Sequence, residues 1–193
     1  MNPILRLFKS LFKKINYNLH KIEAINIEHE FPDSNNFEKE LFEICSGYTM
    51  TSHERIFALM KSIDFVKHNN VEGDFVECGV WKGGNLILFQ KFIEQYNLDK
   101  KIYAYDTFEG MSEPDKIDET FKGESSIDLL NKLYKKKADR KKNILIADCS
   151  IEEVQENFKK FSNKNNLICI KGPVEKTLDL KENLPNKISI LRL

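Results

Sequence analysis

An α/β fold on a parallel sheet is the architecture this 193-residue chain predicts, and three observations carry the prediction. Short apolar runs that suit strands alternate with stretches of helical spacing, which is the pattern of βαβ units and of a sheet covered on both faces. One such run leaves through a glycine-bearing turn directly into an apolar helical stretch. A hydrophobic fraction of 41% supplies a core, while 31% charged residues supply a solvated surface.

The elements follow in order. Near the N-terminus Ile4, Phe8, Leu11, Phe12, Ile15 and Leu19 recur at helical spacing, with Arg6, Lys9, Lys13 and Lys14 between them. This predicts a basic amphipathic helix. Packing on the domain or on a second subunit is expected of it ahead of resting on an anionic membrane. Phe31 to Asn36 is a break rich in turn formers. A helix is expected from about Phe37 to Cys45, ended by Ser46-Gly47. Thr51 or Ser52 caps the next, with Ile56, Leu59, Met60, Ile63 and Val66 on one face.

Asp74–Val80 then reads as a strand, Asn85–Tyr96 as a helix and Lys101–Asp106 as a second strand. Thr107–Ser126 is a long polar loop of the kind that often serves a function. Ile127–Tyr134 is helical, Lys135–Lys142 a basic solvated connection, and Ile144–Ala147 a short strand or an apolar entry to a helix. Ser150-Ile151-Glu152-Glu153 is a capping-box pattern opening a helix to Phe161. Leu167–Lys171 is a strand, Val174–Leu184 is partly helical, and Ile188–Leu193 is a final strand. Residues 1–70 are thus an expected N-terminal helical region and 71–193 an α/β core.

Composition narrows the function classes. Lys+Arg and Asp+Glu stand at 30 each, so no net charge draws the chain toward nucleic acid. Cys45, Cys78, Cys149 and Cys169 are scattered, which predicts free thiols in a reducing cytoplasm. The four histidines lack metal-ligand spacing. No run is apolar and long enough to span a bilayer or to serve as a signal peptide.

The chemistry concentrates in Glu77-Cys78-Gly79-Val80-Trp81-Lys82-Gly83-Gly84. Gly79 permits a tight turn and close approach of a ligand to the backbone, and Gly83-Gly84 frees the helix start. The spacing is acidic-x-Gly-x-x-x-Gly, unlike the G-x-G-x-x-G of dinucleotide binders. A pyrophosphate asks for amide N–H groups, whereas a sulfonium amino acid is cationic and asks for an acid, which Glu77 supplies. Asp106 ends the following strand, where a carboxylate can accept from both ribose hydroxyls or cap a turn.

Three runs carry a specific resemblance: Tyr48 to Arg55 (YTMTSHER), Gly73 to Gly84 (GDFVECGVWKGG) and Asp106 to Met111 (DTFEGM). Together they are similar to the macrocin O-methyltransferase (TylF-like) family, from about residue 45 to the end. The resemblance implies a Rossmann-like class I methyltransferase sheet with an N-terminal helical region. It implies S-adenosyl-L-methionine as cofactor and a sugar hydroxyl of a glycan or glycosylated small molecule as acceptor. Thr49 and Met50 would lie against the methionine portion, Glu77 and Gly79 would form the pocket floor, Asp106 would hold the ribose, and Ser150 would stand near the adenine. Trp81 would either join the pocket or sit in the core. Two departures are Lys82, where the family usually has Arg, and Pro173-Val174, where it often has Trp-Phe.

The family also uses Mg²⁺, held first by an Asp-x-Asp motif after the strand that Ile188–Leu193 resembles, and those ligands lie beyond Leu193. The expectation is therefore about four parallel strands of a larger sheet, with no catalytic or metal residue in the chain. It is expected to be inactive alone, and a homo-oligomer is compatible with it. The alternative is a non-catalytic module that binds the cofactor or oligomerises.

Overall fold

A computed structural model describes residues 31–111, 114–120, 122–135 and 148–193. The chain divides into two compact units, Met1–Ser34 and Asn35–Leu193. Of the first, the described part is a turn in which the Ser34 N–H donates to the Phe31 carbonyl at 3.0 Å. The expected helix within 1–30, the basic stretch 136–142 and the apolar run 144–147 lie outside the described residues.

The second unit opens with α1, Asn36–Ser46. Asn35 Oδ1 accepts from the Glu38 N–H and Glu38 Oε2 accepts from the Asn35 N–H, both at 3.0 Å, so two otherwise orphaned donors are satisfied. Helix α2, His53–His68, buries the expected stripe Ile56, Leu59, Met60, Ile63 and Val66. Next come β1 (Asp74–Cys78), α3 (Gly84–Tyr96), β2 (Ile102–Asp106), α4 (Ser126–Lys135) and α5 (Ile151–Lys159). Strand β3 (Leu167–Lys171), the short α6 (Val174–Thr177), a 3₁₀ turn at Lys181–Asn183 and β4 (Ile188–Arg192) complete the unit. The partly helical Val174–Leu184 resolves into α6 and that turn.

The sheet order is β3-β2-β1-β4, with every neighbouring pair parallel. Chain direction therefore reverses its sideways progress between β1 and β4, and the crevice at their C-terminal ends is where such sheets bind ligands. The register sets Glu77 of β1 opposite Arg192 of β4.

Helix α3 faces β2 on one side and α1 and α2 on the other. That explains why Leu86, Ile87, Leu88, Phe89, Phe92 and Ile93 are all buried rather than only a stripe. Phe89 stacks on Phe75 of β1 at 4.8 Å, and Phe92 meets Phe37 of α1 edge-on at 5.2 Å. Each such side chain contributes roughly 1.5–3 kcal/mol on burial.

The start of α3 is pinned to the segment between α1 and α2. The Gly84 N–H donates to the Tyr48 carbonyl at 2.9 Å, and the Cys45 thiol donates to the Gly84 carbonyl at 3.3 Å. A Cβ on Gly84 would lie 2.7 Å from Thr49 Cβ and 2.8 Å from the Tyr48 carbonyl carbon, so only glycine admits this approach. Gly84→Ala should cost about 1–3 kcal/mol through overpacking, read as a lower urea midpoint at unchanged slope.

Candidate functional site

At the C-terminal end of β1 the Glu77 side chain is 1% exposed. A carboxylate there must be compensated. Its Oε1 accepts from Asn85 Nδ2 of α3 at 2.8 Å and from Arg192 Nη1 of β4 at 2.6 Å. Arg192 Nη2 donates to Thr51 Oγ1 at 2.6 Å, and Asn85 Nδ2 also reaches Thr51 Oγ1 at 3.2 Å. Two other pieces of chain thus meet this acid directly, and a third, through Thr51, braces them.

The compensation is incomplete. Glu77 Oε2 and Asn85 Oδ1 are buried acceptors with no partner, two of the five such side-chain atoms among the described residues. The amide orientation of Asn85 is fixed, because the carboxylate beside its Nδ2 offers only acceptors. Burial outweighs the Arg192 guanidinium and pushes the Glu77 carboxyl up to about 7. Two acceptors left bare inside a protein are expensive.

Asp106, at the tip of β2, is spent differently. Its Oδ2 accepts from the N–H groups of Val80 and Trp81 at 2.7 and 3.2 Å. Its Oδ1 accepts from the Phe108 N–H at 2.9 Å and the Thr107 hydroxyl at 3.3 Å. Trp81 and Phe108 both hold positive φ, 46° and 53°, a costly state for aromatic residues. One carboxylate therefore braces two left-handed residues in two loops, while Gly79, at φ 82°, makes the bend that leaves β1.

Two cavities adjoin this framework. The larger, about 500 Å³, is bordered by Met50, Cys78, Tyr105, Asp106, Met111 and the Gly172-Pro173-Val174 turn. The smaller, about 250 Å³, is bordered by Thr49, Thr51, Arg55, Glu77, Asn85 and Arg192. Met50, Gly79, Trp81 and Leu193 border both. The structure thus gathers Thr49, Met50, Glu77, Gly79 and Asp106 in one place, with Trp81 half-buried in the shared wall. Ser150 borders neither cavity. It is exposed, and its Oγ accepts from the Glu153 N–H at 3.2 Å to cap α5. Lys82 places its ammonium 4.8 Å from the centre of the Trp81 ring.

Sequence reasoning missed Thr51, Arg55, Asn85 and Arg192. Thr51 and Arg55 lie inside the YTMTSHER run, and Asn85 directly follows the glycine pair, but nothing local announces that they converge with Arg192. All four cysteines are unpaired thiols. Burial pushes Cys45 and Cys149 up to about 12 and Cys169 to about 11; it raises Cys78 too, with a further push from Glu77.

Glu77 fixes a sign. The folded state holds this proton to a higher pH than the unfolded chain does, from the ordinary value near 4.5 up to about 7. Its contribution is therefore full below 4.5 and is lost as pH rises toward 7, by up to about 3 kcal/mol. Comparing urea midpoints across that window, Glu77→Gln should flatten this part of the slope. For Asp106→Ala, amide exchange at Val80, Trp81 and Phe108 should accelerate, each lost charge-assisted bond being worth about 1–3 kcal/mol of protection.

Known proteins share sequence and fold with this chain. Demethyldecarbamoylnovobiocin O-methyltransferase of Streptomyces niveus is 30% identical over 117 residues, which cover 60% of this chain and 40% of that protein. The 8-demethyl-8-(2,3-dimethoxy-alpha-L-rhamnosyl)-tetracenomycin-C 4′-O-methyltransferase of Streptomyces olivaceus is 33% identical over 68 residues, 35% of this chain and 26% of that protein. The structure of the O-methyltransferase NovP superposes with a TM-score of 0.56 and 25% identity, covering 75% of this chain and 54% of that one. The chain spans about half the length of these relatives or less. Residues 9–193 match the family described as Macrocin-O-methyltransferase (TylF), and the chain belongs to that family.

Proposed function

We propose that this chain binds S-adenosyl-L-methionine and forms the cofactor-binding part of an O-methyltransferase acting on a sugar hydroxyl of a small glycosylated molecule. The observation that carries the cofactor reading is the pair of bare buried acceptors, Glu77 Oε2 and Asn85 Oδ1, at the crevice between β1 and β4. An α-ammonium supplies the N–H donors those two atoms lack. The acceptor class is supported by the glycosylated substrates in the names of relatives, including the tetracenomycin-C and mycinamicin III O-methyltransferases.

When bound, this cofactor supplies an electrophilic methyl group on a sulfonium. The chain's own residues bind and orient. Glu77 and Asn85 hold the cationic end, and Arg192 keeps Glu77 aimed by occupying its other oxygen. The Gly79 bend brings backbone close to the ligand, and Asp106 keeps that bend in shape through Val80 and Trp81. Any contact of Asp106 with ribose hydroxyls comes in addition to the four bonds its carboxylate already accepts. Tyr105 and Val174 furnish apolar walls for a nucleoside in the larger cavity.

Mg²⁺ does not fit the residues in view. Among the described residues no three His, Cys, Asp or Glu side chains group to hold a metal. The unpaired thiols suit a reducing compartment, in keeping with a cytoplasmic placement. Among the described residues no helix is long and apolar enough to cross a membrane.

Isothermal titration calorimetry with S-adenosylmethionine and with NAD tests the cofactor reading. Saturable heat with the first and none with the second is expected. Binding of NAD, or no response to S-adenosylmethionine at millimolar concentration, overturns it.

A further inference from the structure

We propose that Lys100 and Ser189 are positioning residues for the site at the far end of the sheet: together they hold a one-residue bulge in β4 that carries Arg192 to Glu77. The inference goes beyond the cofactor reading and rests on it only for the ligand that the Glu77 crevice serves.

Strands β1 and β4 do not run in simple step. Asp74 pairs with Ile188, yet the next residue, Phe75, pairs with Ile190, so Ser189 is an extra residue without a partner in β1. Beyond it Val76 meets Leu191 and Glu77 meets Arg192. Side chains alternate between the faces of a sheet, so a shift of one residue transfers a whole strand segment to the other face. Counted on from Asp74 and Ile188 without the bulge, Leu191 would stand beside Glu77 and Arg192 beside Cys78. Glu77 borders the smaller cavity and Cys78 the larger. The extra residue therefore decides whether the guanidinium reaches the buried acid or turns to the opposite face.

Bulges are rare in parallel pairs, so this one needs a local cause. Lys100, just before β2, directs its ammonium at the interruption. Its Nζ donates to the carbonyls of Val71 and Gly73 and to Ser189 Oγ, the first at 2.9 Å and the last at 3.1 Å. Those are all three of its hydrogens. The Phe75 ring covers the ammonium, its centre 5.4 Å away. The Ser189 hydroxyl lies 2.8 Å from the Gly73 carbonyl oxygen and 3.2 Å from that of Asp74, and donates its hydrogen between them. Backbone contacts tighten the same point. The Asp74 N–H donates to the Lys187 carbonyl at 2.9 Å, and a Cβ on Gly73 would fall 2.7 Å from the Lys187 carbonyl carbon. Burial of Ile190 favours the same register, since the unbulged pairing would set Ser189 opposite Phe75 instead. From Asp74 to Glu77 the strand advances roughly 10 Å. Neither Lys100 nor Ser189 borders the two cavities, so they act on the site through the register alone.

A change of length separates this role from a general stabilising one. Deleting Ser189 removes the bulge but leaves Glu77 opposite Arg192, so a chain without Ser189 should no longer need Lys100. Lys100→Met, the Ser189 deletion and the two combined are compared with the unmodified chain. The measurements are a thermal melt, cross-strand backbone NOEs between β1 and β4, and titration calorimetry with S-adenosylmethionine. The unmodified chain and both deletion variants are expected to show Arg192 beside Glu77. Lys100→Met alone should lose that contact in favour of Arg192 beside Cys78, and should bind S-adenosylmethionine about tenfold more weakly. Affinity recovered in the combined variant supports the proposal, as does a combined variant that folds when Lys100→Met alone does not. Unchanged NOEs in Lys100→Met, or losses that the deletion fails to reverse, overturn it. A shifted register with unchanged affinity overturns the positioning role. If the unmodified chain binds no S-adenosylmethionine, the cofactor reading fails, and the NOEs alone then decide whether Lys100 and Ser189 place Arg192.

Discussion

A single buried carboxylate organises this molecule. Glu77 lies where β1 ends, and the chain sends α3, β4 and the α1–α2 connection to it through Asn85, Arg192 and Thr51. Removing an acid from water is costly unless charge and hydrogen bonds replace the lost hydration. Here one oxygen is fully provided for and the other is left bare. A network built only for stability would close the second oxygen as well, or use apolar residues of the same volume. The half-finished state is therefore the informative one: what holds the crevice together also leaves one acceptor open, as the proposed cofactor's ammonium requires.

The second acid works in the opposite sense. Asp106 is saturated by three backbone amides and a hydroxyl, and its contribution is shape. Two aromatic residues in left-handed conformation are tolerated because their amides both point at it. The acids at the tips of adjacent strands look interchangeable in the sequence, yet one is incomplete by design of its surroundings and the other is complete. Their surroundings separate them, since Glu77 points into a closed crevice while Asp106 points back at the bends that follow β1 and β2.

Much of the fold was legible beforehand because the signals were local. The stripe of α2, the apolar run of β1 and the helix-period residues of α3 each reflect a period that the backbone imposes. The capping pair of Asn35 and Glu38 was readable in principle but was hidden inside a stretch of turn formers. Five of the site residues, Thr49, Met50, Glu77, Gly79 and Asp106, surfaced from the acid-and-glycine pattern and the family resemblance, because loops that approach ligands have strict backbone needs. Arg55 and Arg192 did not surface, because a surface arginine and a strand-end arginine look like any others until the 136 residues between them are folded away. Ser150 shows the converse, a position whose local signal as a helix cap was a full account of what it does in the structure.

One further consequence concerns Cys78, which borders the larger cavity next to the Gly79 bend. Sulfur anions are among the best nucleophiles a protein can offer toward an alkylating agent. Under the proposed function the guest of that cavity is an alkylating agent, which a thiolate in the wall would consume. Burial and the neighbouring carboxylate of Glu77 keep this sulfur protonated and poorly reactive. The acid to which the proposed function assigns a positively charged guest therefore also helps hold a nearby sulfur in its less alkylatable form.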